Sequence, residues 1–191
     1  MEAELRATYF ESGKVAATAC KNFILASCIL VLFSLIDVAP ELALPIIKVK
    51  LSFNQTISVG VILHAFFFYR LISAINYERL LGQCLREENK LTKEAVWRLS
   101  YPGYFNFIQH STVFSSGMWF KVIVGVSITI SFIATFIVPV FMAVRVISTE
   151  ISYTESFILF GALSLYISSI FLAGKYQMSR PLETVNDKNK T

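Results

Sequence analysis

Few side chains in this chain can do chemistry, and their spacing limits what that chemistry can be. Its two histidines, His64 and His110, lie on different segments and form no local acid–base pair. Of the three cysteines, Cys20, Cys28 and Cys84, no two form a CxxC pair. Cys20 and Cys28 are eight residues apart, about 12 Å along a helix, which is too far for a disulfide. The cysteines therefore read as structural, with no metal-ligand spacing among them. HExxH, GxSxG, Walker and GxGxxG patterns are all absent. Glu87-Glu88 lacks the arginine that follows the paired glutamates of membrane CAAX-type proteases, and it lies outside the apolar segments, so it reads as a solvated face. The expectation is a protein that is not an enzyme and carries neither cofactor nor metal.

What remains is polar and charged groups set against apolar stretches. His64 falls inside one such stretch, where a polar side chain is costly and turns toward a bundle interior. It reads either as a histidine bonded to a neighbouring helix or as a pore-lining or proton-sensing group. Ser127, Ser131 and Thr135 recur at i, i+4 and i+8 in a segment otherwise made of Val, Ile and Phe. That stripe is either a helix-packing seam or the hydroxyl lining of a pore. Gly161, Ser164 and Ser168 form a second small-residue face, read as packing. Lys21, Arg70, Lys121 and Lys175 stand at one end of each apolar stretch, as lipid-phosphate anchors or as the cations of an inner mouth. Arg79, Arg86 and Lys93 repeat every seven residues with Lys90 beside them, a basic stripe on a helix. It reads as a solvated face balanced by nearby glutamates, or as a binding track for an anionic regulator.

The elements that must position these groups follow from composition. Of the 191 residues, 55% are hydrophobic and only 16% charged, and the net charge is +4. Soluble domains carry about 25% charged residues, so this is the composition of a small integral membrane protein. Four apolar spans are expected, at approximately 22–39, 56–75, 121–144 and 157–174. Twelve Lys and Arg flank one side of these spans and three the other, which puts both termini and the second loop in the cytoplasm. The N-terminus does not read as a cleaved signal peptide. Leu25-Ala26-Ser27-Cys28 is not a lipoprotein box either, because most of the hydrophobic run follows it.

Outside the spans, Ile46–Phe53 alternates apolar and polar residues, which predicts a short extended segment over the outer end. The sequon Asn54-Gln55-Thr56 abuts a span where a glycosyltransferase has little access. The apolar residues from Tyr77 to Leu99 fall at helical spacing, predicting one long helix from about Ile57 to Leu99 that leaves the bilayer. Tyr101-Pro102-Gly103 then forces a turn. The first twenty residues also read as an amphipathic helix. The fold class is all-α: a single membrane domain over residues 1–191, a four-helix bundle, N-in and C-in, with a cytoplasmic helical region at approximately 76–120.

This size and layout, with no enzymatic motif and with basic cytoplasmic helices, resembles the small four-span bacterial anti-phage membrane effectors of the Hailong type. The resemblance covers the overall layout of the whole chain. It implies a bacterial inner-membrane protein and a tetrameric channel held closed by DNA oligomers that a partner nucleotidyltransferase makes. Release of those oligomers would depolarise the membrane and stop growth. Arg79, Arg86, Lys90 and Lys93 are then the positions expected to touch the oligomer.

The functional expectation is an oligomeric ion channel or pore-forming effector in the lipid bilayer, gated by an anionic cytoplasmic ligand such as a nucleotide or nucleic-acid oligomer. The alternative is a non-conducting membrane anchor or accessory subunit that recruits a cytosolic partner protein through its 77–99 helix. A proton-coupled transporter using His64 is disfavoured, because the spans hold no carboxylate except Asp37 at an edge.

Overall fold

The computed structural model describes residues 2–35, 43–44, 49–50, 52–89, 99, 126, 129, 133–149 and 151–178. Helix α1 covers Glu2–Leu35 and helix α2 covers Phe53–Asn89. Between them lies a two-residue antiparallel ladder of β1 (Ala43–Leu44) and β2 (Val49–Lys50), with Ala43 opposite Lys50. A π-helical turn, Ile133–Ile137, runs into helix α3 (Val138–Ile147), and helix α4 covers Tyr153–Met178.

α1, α2 and α4 are each long and apolar enough to cross a membrane. They hold 34, 37 and 26 residues. At about 1.5 Å per residue α1 and α2 reach about 51 and 55 Å, against a hydrocarbon core of about 30 Å. The amphipathic N-terminal segment and the first apolar span are thus one unbroken helix. The expected extended segment survives at Val49–Lys50, but Ser52 and Phe53 already open α2. α2 runs without a break from the apolar layer into the charged region as far as Asn89. Of the rest of the expected 57–99 helix, only Leu99 lies within the described residues. The third expected span is described mainly at its far end, as the π turn and α3.

Two helix starts are closed by reciprocal capping boxes. Gln55 Oε1 accepts from the Ser52 N–H at 3.0 Å, while Ser52 Oγ accepts from the Gln55 N–H at 3.2 Å. Glu155 and Ser152 do the same at the start of α4, at 2.8 and 3.3 Å. The end of α3 is closed by Ser148 and Thr149, whose hydroxyls donate to the carbonyls of Val144 and Val146. Within the helices, the hydroxyls of Thr18, Ser27, Ser164 and Ser169 each donate to a carbonyl four residues back. Such internal satisfaction is what lets a hydroxyl-bearing helix face lipid.

α2 is the central helix, with α1 along one side and α4 along the other. Three packed layers follow one another down the antiparallel α1–α2 pair. The first joins Leu30, Ile57, Val61 and Ala65 to Met142 and Val146 of α3 and Ala162 of α4. The second holds Ala19, Cys20, Phe23 and Leu71. The third, where the helices outrun the apolar stretch, holds Tyr9 and Leu85 with Leu5, Leu81 and Leu99 against them. Asn54 Nδ2 donates to Thr149 Oγ1 at 2.7 Å, and Arg145 lies 5.0 Å over the Phe53 ring, so the starts of α2 and the end of α3 meet at one end of the bundle. In the folded chain the sequon is thus packed into this end, with Asn54 bonded to Thr149 and Thr56 buried.

Gly82, in the middle of α2, is where Tyr9 of α1 crosses. A Cβ there would stand 3.2 Å from Tyr9 Cε2. We expect Gly82→Leu to push α1 off α2 at that layer alone. Amide exchange should rise across residues 5–15 and 78–87 and stay unchanged across 22–33. Unchanged exchange at both places would contradict this packing.

Candidate functional site

His64 sits at 0% exposure in α2, between the first and second packed layers. Its ring is engaged on both nitrogens by the two flanking helices. Nε2 lies 3.0 Å from Ser27 Oγ of α1, and Nδ1 is bonded to the Tyr166 hydroxyl of α4. The direction of these bonds depends on the ring tautomer. Ser27 Oγ also lies 2.9 Å from the Phe23 carbonyl, to which it can donate its single proton. In that arrangement it accepts from the ring, and Nε2 carries the proton. Nδ1 is then the acceptor, and Tyr166 donates to it. The result is a one-way chain from Tyr166 to His64 to Ser27 to the Phe23 carbonyl, crossing three helices with every group satisfied.

The surroundings are aromatic. The Phe23 ring lies 4.9 Å from the imidazole, Phe68 lies 5.5 Å from Phe23 and 6.0 Å from Tyr166, and Phe136 of the π turn closes on Phe68 at 5.9 Å. Within this shell His64 and Ser27 are buried and Tyr166 half-buried, and an unmade bond to a buried polar group there costs about 1–3 kcal/mol. Gly161 of α4 faces Ile62 of α2, where a Cβ would make an ordinary contact at 3.4 Å. Asn76 Nδ2 adds a second tie to α4, at the Leu172 carbonyl, 3.3 Å away.

The other predicted positions are distributed differently. Thr135 is buried and lies within the π turn, so the regular α-helical spacing that linked it to Ser127 and Ser131 does not run through it. Ser127, Ser131, Lys90, Lys93 and Lys121 lie outside the described residues. Lys21 and Arg70 are exposed on α1 and α2, next to Cys20 and Leu71 of the same packed layer. Lys175 belongs to α4, with its side chain outside the description. Arg79 and Arg86 are half-exposed on α2 beyond the apolar layers, and each already has an interaction within the chain. Ser164 and Ser168 face outward, and Ser169 is the buried serine of α4. Among the described residues no group of three or more His, Cys, Asp or Glu side chains is placed to hold a metal ion.

Ser27 and Tyr166 were missed by sequence reasoning. Each sits in an ordinary apolar helical run, and only the three-dimensional pairing brings them to His64. No protein-family model matches the chain, no curated protein is similar to it, and no solved structure matches it.

The directional chain makes a specific stability prediction. Ser27→Ala leaves an imidazole N–H with no acceptor, and Tyr166→Phe leaves a bare Nδ1. Each should lower stability in detergent micelles by about 1–3 kcal/mol. The triple variant Ser27→Ala, His64→Leu, Tyr166→Phe, which removes every partner at once, should cost less than the sum of the singles. Additive losses would show that these groups do not act as one network.

Proposed function

We propose that the chain is a subunit of a homo-oligomeric ion channel or pore-forming membrane effector, a tetramer being favoured, gated from the cytoplasm by an anionic ligand. In this reading the segment 121–147 supplies a fourth span beside α1, α2 and α4. Both termini and the second loop lie in the cytoplasm of a bacterial inner membrane, the side that carries the Lys and Arg excess. The carrying observation is His64, a histidine fully buried in the apolar part of a three-helix packing and bonded to both neighbouring helices. Intramembrane polar residues tend to mark functional paths and switches.

The mechanism uses α2 as a rod. One unbroken helix carries Arg79 and Arg86 at one end and His64 about two to three turns into the apolar layer. An anionic nucleotide or nucleic-acid oligomer on Arg79, Arg86, Lys90 and Lys93 would shift α2 only if it bound one state better than the other. The shift reaches the other helices through the His64 chain. Ser127, Ser131 and Thr135 are the proposed lining of the path, repeated around the oligomer, with Thr135 turned into it from its buried position as the segment changes pitch. The π turn at Thr135, four residues before Pro139, is where that segment can change pitch, because Pro139 has no N–H to offer the Thr135 carbonyl.

A second reading, a non-conducting anchor or accessory subunit, is favoured by one observation. Val15, Tyr77 and Leu80 are exposed apolar side chains on the part of α1–α2 outside the apolar layers, a surface suited to a cytosolic protein. Membrane potential measured with a voltage-sensitive dye on induced expression separates the two. Wild type should depolarise cells within minutes, and Ser127→Val/Ser131→Val/Thr135→Val should not. Arg79→Gln/Arg86→Gln/Lys90→Gln/Lys93→Gln removes block by an endogenous ligand. A normal potential with both wild type and this last variant, at matched membrane levels, would reject conduction in favour of the anchor. Depolarisation by the triple Val variant would reject the lining assignment.

A further inference from the structure

A groove of about 210 Å³ runs between α1 and α2, lined by Asn22, Leu25, Ala26, Gly60, Leu63 and Phe67 among others. From Asn22 to Leu30 it extends about 12 Å along α1. Ala26 and Gly60 make it, since larger side chains at these positions would fill it. Its far end, at Leu30 and Gly60, is wholly apolar. Its near end is not. Asn22 contributes an amide, and Lys21 precedes it on the same helix. On α2, Gly60, Leu63 and Phe67 are followed at the same helical spacing by Arg70, which continues that face. Lys21 and Arg70 are both exposed, and neither has an ion-pair partner among the described residues.

We propose that this groove is a binding site for an anionic phospholipid, with one acyl chain lying between α1 and α2 and the phosphate held by Lys21 and Arg70. The match is of shape and charge together: an apolar trough with an amide at one end, and, one helical step beyond its lining on each helix, the cations Lys21 and Arg70. A zwitterionic lipid brings its own ammonium and so gains less from the pair. A second copy of this chain seated symmetrically here would bring its own Lys21 and Arg70 against the first pair, so like charges would meet. The site rests on the membrane reading above and is independent of conduction.

The test uses the full chain with Trp97→Phe, Trp119→Phe and Leu63→Trp, which leaves one indole in the groove. The protein is first floated with phosphatidylcholine vesicles, and its helicity is checked. Indole quenching is then compared between brominated-chain phosphatidylglycerol and brominated-chain phosphatidylcholine, each diluted into unbrominated phosphatidylcholine. The site requires phosphatidylglycerol to be preferred by roughly tenfold or more, from two juxtamembrane cations. Lys21→Gln/Arg70→Gln should abolish that preference. Ala26→Phe, which plugs the trough, should reduce quenching by both lipids without affecting flotation. Equal quenching by the two lipids, or a preference that survives Lys21→Gln/Arg70→Gln, would overturn the site while leaving the membrane reading intact. So would efficient Leu63→Cys cross-linking between copies with no quenching by either lipid. Failure to float with any vesicle would overturn the membrane reading, and this site with it.

Discussion

An imidazole buried between apolar helices has no water to bond, so each of its nitrogens must find a partner on a neighbouring element. His64 meets this condition by drawing on α1 and α4 at once. The requirement sets axial height as well as contact, because Ser27 and Tyr166 reach the ring only when all three helices are in one register. Apolar packing alone tolerates a slide of a turn, since one leucine serves much like the next. In lipid there is little hydrophobic force to choose among such registers. The polar chain makes the choice, with the rings of Phe23, Phe68 and Phe136 packed around it.

The remainder of the bundle is arranged around that fixed point. Above it, Leu30, Ile57, Val61, Met142, Val146 and Ala162 pack α1, α3 and α4 against α2. Below it, Leu71, Cys20 and Ala19 continue the seam into the charged part, where Tyr9 crosses Gly82. Three helix ends are closed by short polar side chains: the starts of α2 and α4 by capping boxes and the end of α3 by the hydroxyls of Ser148 and Thr149. The central helix therefore joins a surface rich in charge to a latch inside the apolar layer without a break. That continuity is what a ligand on the outer part of α2 would need if it is to act on the packing within.

Helix identity was legible in the sequence, because long uncharged runs and the periodicity after Tyr77 have few other readings. His64 as a group bonded to a neighbouring helix was legible too, since the cost of a polar residue in an apolar run demands a partner. The partners were not. Periodicity assigns a residue to a face but does not say which helix lies against that face or at what height, so Ser27 and Tyr166 looked ordinary. The small-residue face of Gly161, Ser164 and Ser168 was legible, but not that Ser164 and Ser168 are exposed on the single chain while Ser169 is the buried serine. The stripe reading of Thr135 assumed α-helical pitch, and only Pro139 hinted at the π turn that alters it. Ser52-x-x-Gln55 and Ser152-x-x-Glu155 were plain helix-start signals that would have placed both starts a few residues earlier than hydropathy did.

The central claim is that Tyr166, His64 and Ser27 form one directed chain that locks three helices together. The most direct measurement is ¹⁵N solid-state NMR of the His64 ring in lipid bilayers, with His110 replaced so that the signals are unambiguous. The account predicts a protonated Nε2, an unprotonated Nδ1 and a through-space contact from Nδ1 to the Tyr166 hydroxyl. A ring protonated at Nδ1 instead, at both nitrogens, or in exchange with water would contradict it.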